Sequence, residues 1–569
     1  MTQPGGAGGA PFRHARLLIV AAAVLAMLPE LSFGLSITDS YRYNIAWTEQ
    51  FTALFRAGDL YPRWLPAAWD GLGSPTFYFY PPIFFWTASL ADLATLGALD
   101  TGTVASLASL ILLAVSGLAM QAWLAALATP KAALIGGLAY LLAPYHLYDI
   151  YGRGALAEAS AYAWLPLVML ALRRIGAGRW SAVPLLGASY GALIFSHLPA
   201  ALLASLFAIP PYVAFTAWRA GAPKILAMAL AGGLLGLGLA AAYWLPAIGL
   251  TRHISADALF GTFYDPANWF FWRPSAWPRS GLMLLILPLW AAAALLAAAA
   301  MIAAPGSPDR RETLLWGGVT IVGLAMIAGA LPPLWRLPFL AQVQFPWRMF
   351  VIVEFAVITA LTLATPRLTQ KLAFAGALPL AAAVAVVGSA IAFRMVETSA
   401  NTQGRLAETR ADYRDAPEYL PAGSFIPLTG DQVPETAMVA LPAMPLAAAG
   451  GGAQVEAAEA KGGGITVEVD ADRPTRIVVR RFYFPHWRVV AGAREITAAP
   501  TPGSRLLSWR VPAGRSAYTV EQGAAPGERR ALAISLSALL LLLAGALAAA
   551  IGRVKGQRHF HDSRLRHEG

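Results

Sequence analysis

The sequence predicts an all-α polytopic membrane bundle of about twelve transmembrane helices, joined to a small extracytoplasmic β-sandwich domain. Three observations predict it. Of 569 residues, 57% are hydrophobic and only 13% charged, against roughly 25% charged in an ordinary soluble domain. Apolar runs recur almost without interruption from Leu17 to Phe393 and return between Ala531 and Ile551. Between those two regions lies a polar stretch whose second half alternates with the period of a strand.

A helix crossing the hydrocarbon core needs about 20 apolar residues. Twelve segments qualify, approximately 17–33, 103–128, 132–148, 155–172, 181–197, 199–218, 225–248, 281–304, 314–331, 349–365, 372–393 and 531–552. Segment 83–98 is apolar but short and carries Asp92. If it spanned, the basic turn RRIGAGR at 173–179 would change sides, so it is expected to lie on the outer surface. The loops then assigned to the cytoplasm hold 17 Lys and Arg in 65 residues, whereas the short outer segments hold 9 in 125. The positive-inside rule therefore places both termini in the cytoplasm. The first apolar run is read as a retained span, because no small-residue cleavage site follows it.

Three regions result: 1–393, a transmembrane domain with a long first outer loop at 34–102; 394–530, an extracytoplasmic and mainly β domain; and 531–569, a final transmembrane helix with a basic cytoplasmic tail. Within the second region GITVEVDA at 464–471 alternates, RIVVRRFYF at 476–484 is β-branched and aromatic, and RLLSWRVPAG at 505–514 closes on a turn. An antiparallel β-sandwich over 464–520, packed on the first loop or binding glycan, is expected. The Ala/Gly stretch at 447–453 reads as a linker.

The absence of cysteine excludes disulfides, thiolate nucleophiles and Cys-ligated zinc. The chain also lacks a P-loop, a Rossmann fingerprint and HExxH, which argues against a nucleotide-driven pump or a zinc protease. The net charge of +11 is divided among membrane flanks, so nucleic acid is not an expected partner and membrane lipids are.

Residues that membrane burial leaves unexplained mark the candidate site. Asp39 follows the first span and suits either a base that deprotonates an acceptor hydroxyl or the N-cap of a surface helix at 40–56. The first loop, rich in Tyr, Trp and Pro, carries Arg63 beside Asp59 and Asp70, and Tyr80; an interfacial aromatic belt is the plainer reading of its rings. The turn YHLYDIYGRGALAEAS at 145–160 holds Asp149, Arg153 and Glu158. A glutamate within a span must pair or face a cavity, so Arg153 and Glu158 form either a structural ion pair or part of a site. His197 suits a proton carrier or a satisfied core histidine. Loop 332–348 places Arg336, Gln344 and Arg348 at the outer face against the charge trend, as a phosphate-binding segment would.

Together GDLYPRW (58–64), GLGSPTFYFYPP (71–82), YGRGALAE (151–158), QFPWR (344–348), EYLP (418–421) and YFPHWRV (483–489) resemble a bacterial membrane-protein family labelled 6-pyruvoyl-tetrahydropterin synthase-related, close to YfhO-like proteins. Pterin chemistry finds no support, because a three-histidine zinc site needs a cluster and the eight histidines are scattered. The resemblance implies GT-C glycosyltransferase architecture in the bacterial cytoplasmic membrane. It implies an acid in the first outer loop and a polyprenyl-phosphate sugar as donor, with a glycan or lipid as acceptor. Asp39 matches that acid. Ser40 and Tyr41 follow it where many such enzymes carry a second acid. This departure leaves a divalent metal admitted but not required, and gives Arg348, Arg336 or Arg153 the task of neutralising the departing phosphate. The alternatives are a transporter or flippase for lipid-linked saccharides and an envelope scaffold.

Overall fold

The computed structural model describes residues 10–256, 262–273, 277–303, 306–307, 309–367, 388–398, 415–424, 441, 443–460 and 463–565. Among these, seven helices are long and apolar enough to cross a membrane: His14–Phe33, Thr101–Ala125, Leu198–Ala220, Ile286–Ala303, Arg310–Ala328, Pro346–Ala364 and Glu528–Ile551. An eighth span results if Lys224–Leu239 and Ala241–Gly249, bent by 67°, are one crossing. The expected count of twelve is thus not confirmed, and the reason is local. Segment 132–148 is a 12-residue helix, Pro130–Leu141, followed by a short one from Pro144. Segment 155–172 is divided into Leu156–Ala161 and Leu165–Gly176. Apolar composition reaches across these breaks, but proline at a helix start and the polar cluster described below end the helices. Most of 372–393 lies outside the described residues.

The bundle centres on Phe350–Ala364, apolar except for Glu354, Thr359 and Thr362 and buried along its length, as a helix surrounded by other helices must be. Small residues let neighbours approach closely. Gly187 and Gly191 on Val183–Ser196 face Gly232 and Gly236 on Lys224–Leu239; a Cβ at Gly236 would lie 3.0 Å from the Gly187 carbonyl oxygen. Helix Ile83–Ala94 has 12 residues, a length of about 18 Å, and is too short to cross. Its Asp92 is held by Arg56 at 3.2 Å.

The first loop is a folded layer rather than a belt of interfacial rings. Helix Tyr41–Arg56 buries one face, including Trp47 and Phe51. Phe51 meets Phe77 at 4.7 Å, Phe77 meets Phe85 at 4.8 Å, and Trp47 meets Tyr80 at 4.5 Å, spacings at which edge-on and tilted rings attract. Asp415 latches this layer to the polar domain, accepting from Trp47 Nε1 at 2.6 Å and Thr76 Oγ1 at 2.5 Å. Burial raises the Asp415 carboxyl above its ordinary range even against the hydrogen bonds it accepts.

Among the described residues the polar domain is an antiparallel sandwich of nine strands. One sheet has the order β1-β4-β8-β7 (Ala447–Ala449, Thr475–Phe482, Leu506–Val511, Ala499–Pro500). The other has the order β2-β3-β9-β5-β6 (Gln454–Glu459, Ile465–Ala471, Gly514–Gln522, Trp487–Ala491, Arg494–Ile496). In β3 every second residue is buried, from Ile465 to Ala471, so the period-two pattern is the inner face. The expected linker at 447–453 is corrected: Ala447–Ala449 pairs with Ile477–Val479 as an edge strand, because backbone pairing rather than side-chain character recruits these alanines. The sandwich sits on the first loop. Phe482 N donates to Leu72 O at 2.8 Å, Arg481 donates to Gly71 O, and the Trp64 ring lies 4.7 Å from His486.

Candidate functional site

Two interruptions in the bundle create the site. After Leu141 the chain restarts at Pro144, widens into a π-helical turn over Asp149–Arg153, and leaves it through Gly154 in the left-handed region, a conformation suited to glycine. The second break is at His197, whose extended backbone separates Val183–Ser196 from Leu198–Phe207. Both breaks lie beside the start of the central helix, where the PWRM turn of Pro346–Met349 presents Arg348.

Glu158 is the hub. Its Oε2 accepts from Arg153 Nη1 at 2.9 Å and from Arg348 Nε at 3.2 Å, and its Oε1 accepts from Tyr145 Oη at 2.7 Å. Arg153 Nη1 also donates to Asp149 Oδ1 at 2.6 Å and Tyr145 Oη at 2.7 Å. Arg348 Nη1 donates to Val343 O at 2.7 Å and Gln344 Oε1 at 3.0 Å. Both guanidinium groups lie over the Phe345 ring, at 5.8 and 5.2 Å. His197 Nδ1 accepts from Ala200 N at 3.3 Å, which leaves Nε2 as the donor facing Glu158 at 4.0 Å. Two cations are therefore held on one buried carboxylate. Among the described residues neither Arg153 Nη2 nor Arg348 Nη2 donates to the protein, and the two side chains keep 11% and 13% of their surface exposed.

Behind the hub lies Glu354, buried in the central helix. It accepts four hydrogen bonds: Tyr145 N at 2.8 Å, His146 N at 3.3 Å, Tyr162 Oη at 2.7 Å and Trp290 Nε1 at 3.1 Å. Tyr145 is thus fixed at both ends, its amide by Glu354 and its hydroxyl by Glu158. Glu354 and Tyr145 were not singled out from sequence, although an acid inside an otherwise uncharged span was a usable signal.

Ser40 and Asn44, just beyond Asp39, meet the rim of this cluster. Ser40 N donates to Arg153 O at 3.2 Å and Asn44 Nδ2 to Gly154 O at 2.8 Å. The capping alternative is corrected: helix Tyr41–Arg56 begins after Ser40, and no side chain caps it. Asp39 is exposed instead. Beside it, among the described residues, Thr38 Oγ1 and Asn44 Oδ1 are buried without hydrogen-bond partners.

The structure brings Asp149, Arg153, Glu158, Gln344 and Arg348 into direct contact, with Tyr80 as an electrostatic neighbour of both arginines. It does not bring in Arg63 or Arg336. Arg63 turns from Asp59 and Asp70 to Glu528 at 2.9 Å and Ala242 O at 2.7 Å, tying the first loop to the last helix and the 67° bend. Arg336 is exposed and joins none of these contacts. Among the described residues no three His, Asp or Glu side chains are grouped to hold a metal ion. Asp39 is followed by Ser40 and Tyr41, so its immediate sequence neighbours supply no second carboxylate.

No protein-family model matches the chain, and no curated protein matches it. Solved structures do. Arabinofuranosyltransferase AftD from Mycobacteria matches with 18% identity over 68% of this chain and 27% of that one, TM-score 0.43. A variant of AftD gives 19% over 66% and 27%, TM-score 0.45. ArnT from Cupriavidus metallidurans bound to undecaprenyl phosphate gives 15% over 63% and 79%, TM-score 0.28. The match spans about a quarter of the AftD chains.

Proposed function

We propose that the chain is a membrane glycosyltransferase that moves a sugar from a polyprenyl-phosphate donor to a cell-envelope glycan or lipid. One observation carries the reading: two arginines share a buried carboxylate while each retains a free guanidinium edge, beside a loop that supplies an exposed acid. Guanidinium groups grip phosphate oxygens bidentately, and Glu158 holds both in place without using up their donors. The phosphate of the donor lies against Arg348 and Arg153, at headgroup depth. Asp39 takes the proton of the acceptor hydroxyl as its oxygen attacks the anomeric carbon. The new carbon–oxygen bond forms as the bond to phosphate breaks, and the electron pair leaves with the polyprenyl phosphate, whose charge the arginines stabilise. In this reading the end of the bundle bearing the first loop and the sandwich is the outer face.

Purified protein supplied with a labelled polyprenyl-phosphate sugar tests the proposal. Asp39→Asn is expected to abolish transfer while leaving donor binding intact. Arg348→Ala is expected to weaken donor binding, and Arg348→Lys to restore it only in part because the fork is lost. Transfer at the parental rate by Asp39→Asn refutes the acid's role. Movement of a lipid-linked saccharide across vesicles without a new glycosidic bond establishes the flippase alternative instead.

A further inference from the structure

The sandwich carries a second concentration of arginines, far from the hub. Arg476 on β4 and Arg510 on β8 are direct cross-strand partners, both exposed on the outer side of their sheet. Like charges in that arrangement repel and weaken the strand pair. With Arg494 of β6 they border a cleft of about 410 Å³, lined also by Glu495, Thr497 and Ser508. Glu495 does not neutralise them, because its carboxylate is 3.0 Å from Arg488. Among the described residues none of the three arginines has an ion-pair partner, whereas Arg481, Arg488 and Arg515 of the same domain all do. Three cations without an ion-pair partner among the described residues, on one concave surface that also carries Ile496, Ala499 and Trp509 and retained at a cost to the sheet, fit an anion with several charges.

The position of the cleft selects the kind of anion. β4 runs from Thr475 to Phe482, and Phe482 is where the sandwich docks on the first loop. Arg476 is six residues back, about 20 Å along an extended strand, and Arg510 and the β5–β6 hairpin bearing Arg494 lie at that same end. The cleft is therefore at the end of the sandwich opposite its contact with the first loop.

We infer that this cleft binds an anionic glycan, a polymer with repeated carboxylate or phosphate groups, and holds it beside the enzyme. The inference rests on the reading that places the sandwich on the outer face. The full chain in neutral-lipid nanodiscs is titrated with polygalacturonate, with a ribitol phosphate polymer, with neutral dextran and with vesicles containing phosphatidylglycerol. One or both acidic polymers are expected to bind, more weakly as salt is added; which one binds identifies carboxylate or phosphate as the recognised group. Arg476→Ala/Arg510→Ala, and separately Arg494→Glu, are expected to weaken that binding by about tenfold or more, as the loss of charge-assisted contacts would. Both should leave transfer to a short soluble acceptor unchanged. Equal binding of dextran, binding only to vesicles, absence of polymer binding, or unchanged affinity in the variants overturns the inference. The same titration on Asp39→Asn keeps the two readings apart, because polymer binding by that variant stands whether or not the parent transfers sugar.

Discussion

Glu158→Gln perturbs the hub without changing its size, and its cost can be worked from the contacts. Glu158 Oε2 receives Arg153 at 2.9 Å and Arg348 at 3.2 Å, while Oε1 receives the Tyr145 hydroxyl at 2.7 Å. A glutamine must turn its carbonyl toward the arginines. Its amide group then faces Tyr145 Oη, which already accepts from Arg153 at 2.7 Å, so the hydroxyl proton loses its acceptor. Two ion-paired hydrogen bonds become bonds from a cation to a neutral carbonyl, a loss of about 1 kcal/mol each, and one donor is stranded at about 1 kcal/mol more. Outright removal of a buried partner costs about 3–5 kcal/mol; retaining the carbonyl places the expected loss at about 2–4 kcal/mol. The measurement is equilibrium unfolding of parent and variant in mixed micelles. Saturating polyprenyl phosphate should recover part of the loss, since a ligand at 100 times its dissociation constant contributes about 2.7 kcal/mol and the phosphate supplies the missing negative charge. A variant within about 0.5 kcal/mol of the parent, the range of an uninvolved site, would show that the arginines do not depend on Glu158 and would refute the reasoning.

Three further outcomes are expected. Glu354→Gln sets an amide against the Tyr162 hydroxyl and the His146 amide, and should cost about 1–3 kcal/mol in the same unfolding measurement while lowering transfer through displaced Tyr145. At Gly154, with φ of 65°, an added Cβ would lie 2.1 Å from Thr38 Oγ1; Gly154→Ala should therefore push the Asp39 segment from its seat, and kcat should fall further than donor affinity. Burial among Trp64, Tyr78 and Trp487 pulls the His486 imidazole down to about 3, with neither ring nitrogen hydrogen-bonded among the described residues. The unfolded chain then binds the extra proton, so stability rises with pH between about 3 and 6.5 and is lost as pH falls through that window, by up to about 1.4 kcal/mol per pH unit. Thermal unfolding of His486→Phe and the parent between pH 5 and 7 should show a shallower pH slope in the variant.

Local chemistry determined much of this protein before any contact was known. The near absence of charge in long runs required a membrane bundle, because helices there satisfy their backbone internally. The alternation of Ile465–Ala471 required a one-sided strand, and the alternation is the inner face of β3. Arg153 with Glu158, five residues apart, was legible because a single turn brings them together. Tertiary structure alone decided the rest. Arg348 reaches Glu158 across 190 residues and Trp47 reaches Asp415 across 368, separations over which no periodicity carries information. Arg63 chose Glu528 over the nearer Asp59 and Asp70 because the last helix returns beside the first loop. Apolar composition did not disclose where helices stop: the breaks at Pro144 and His197 exist because buried carboxylates and arginines there need one another as partners. A buried charge is stabilised by groups that surround it in space, and the order of residues along the chain specifies only a few of them.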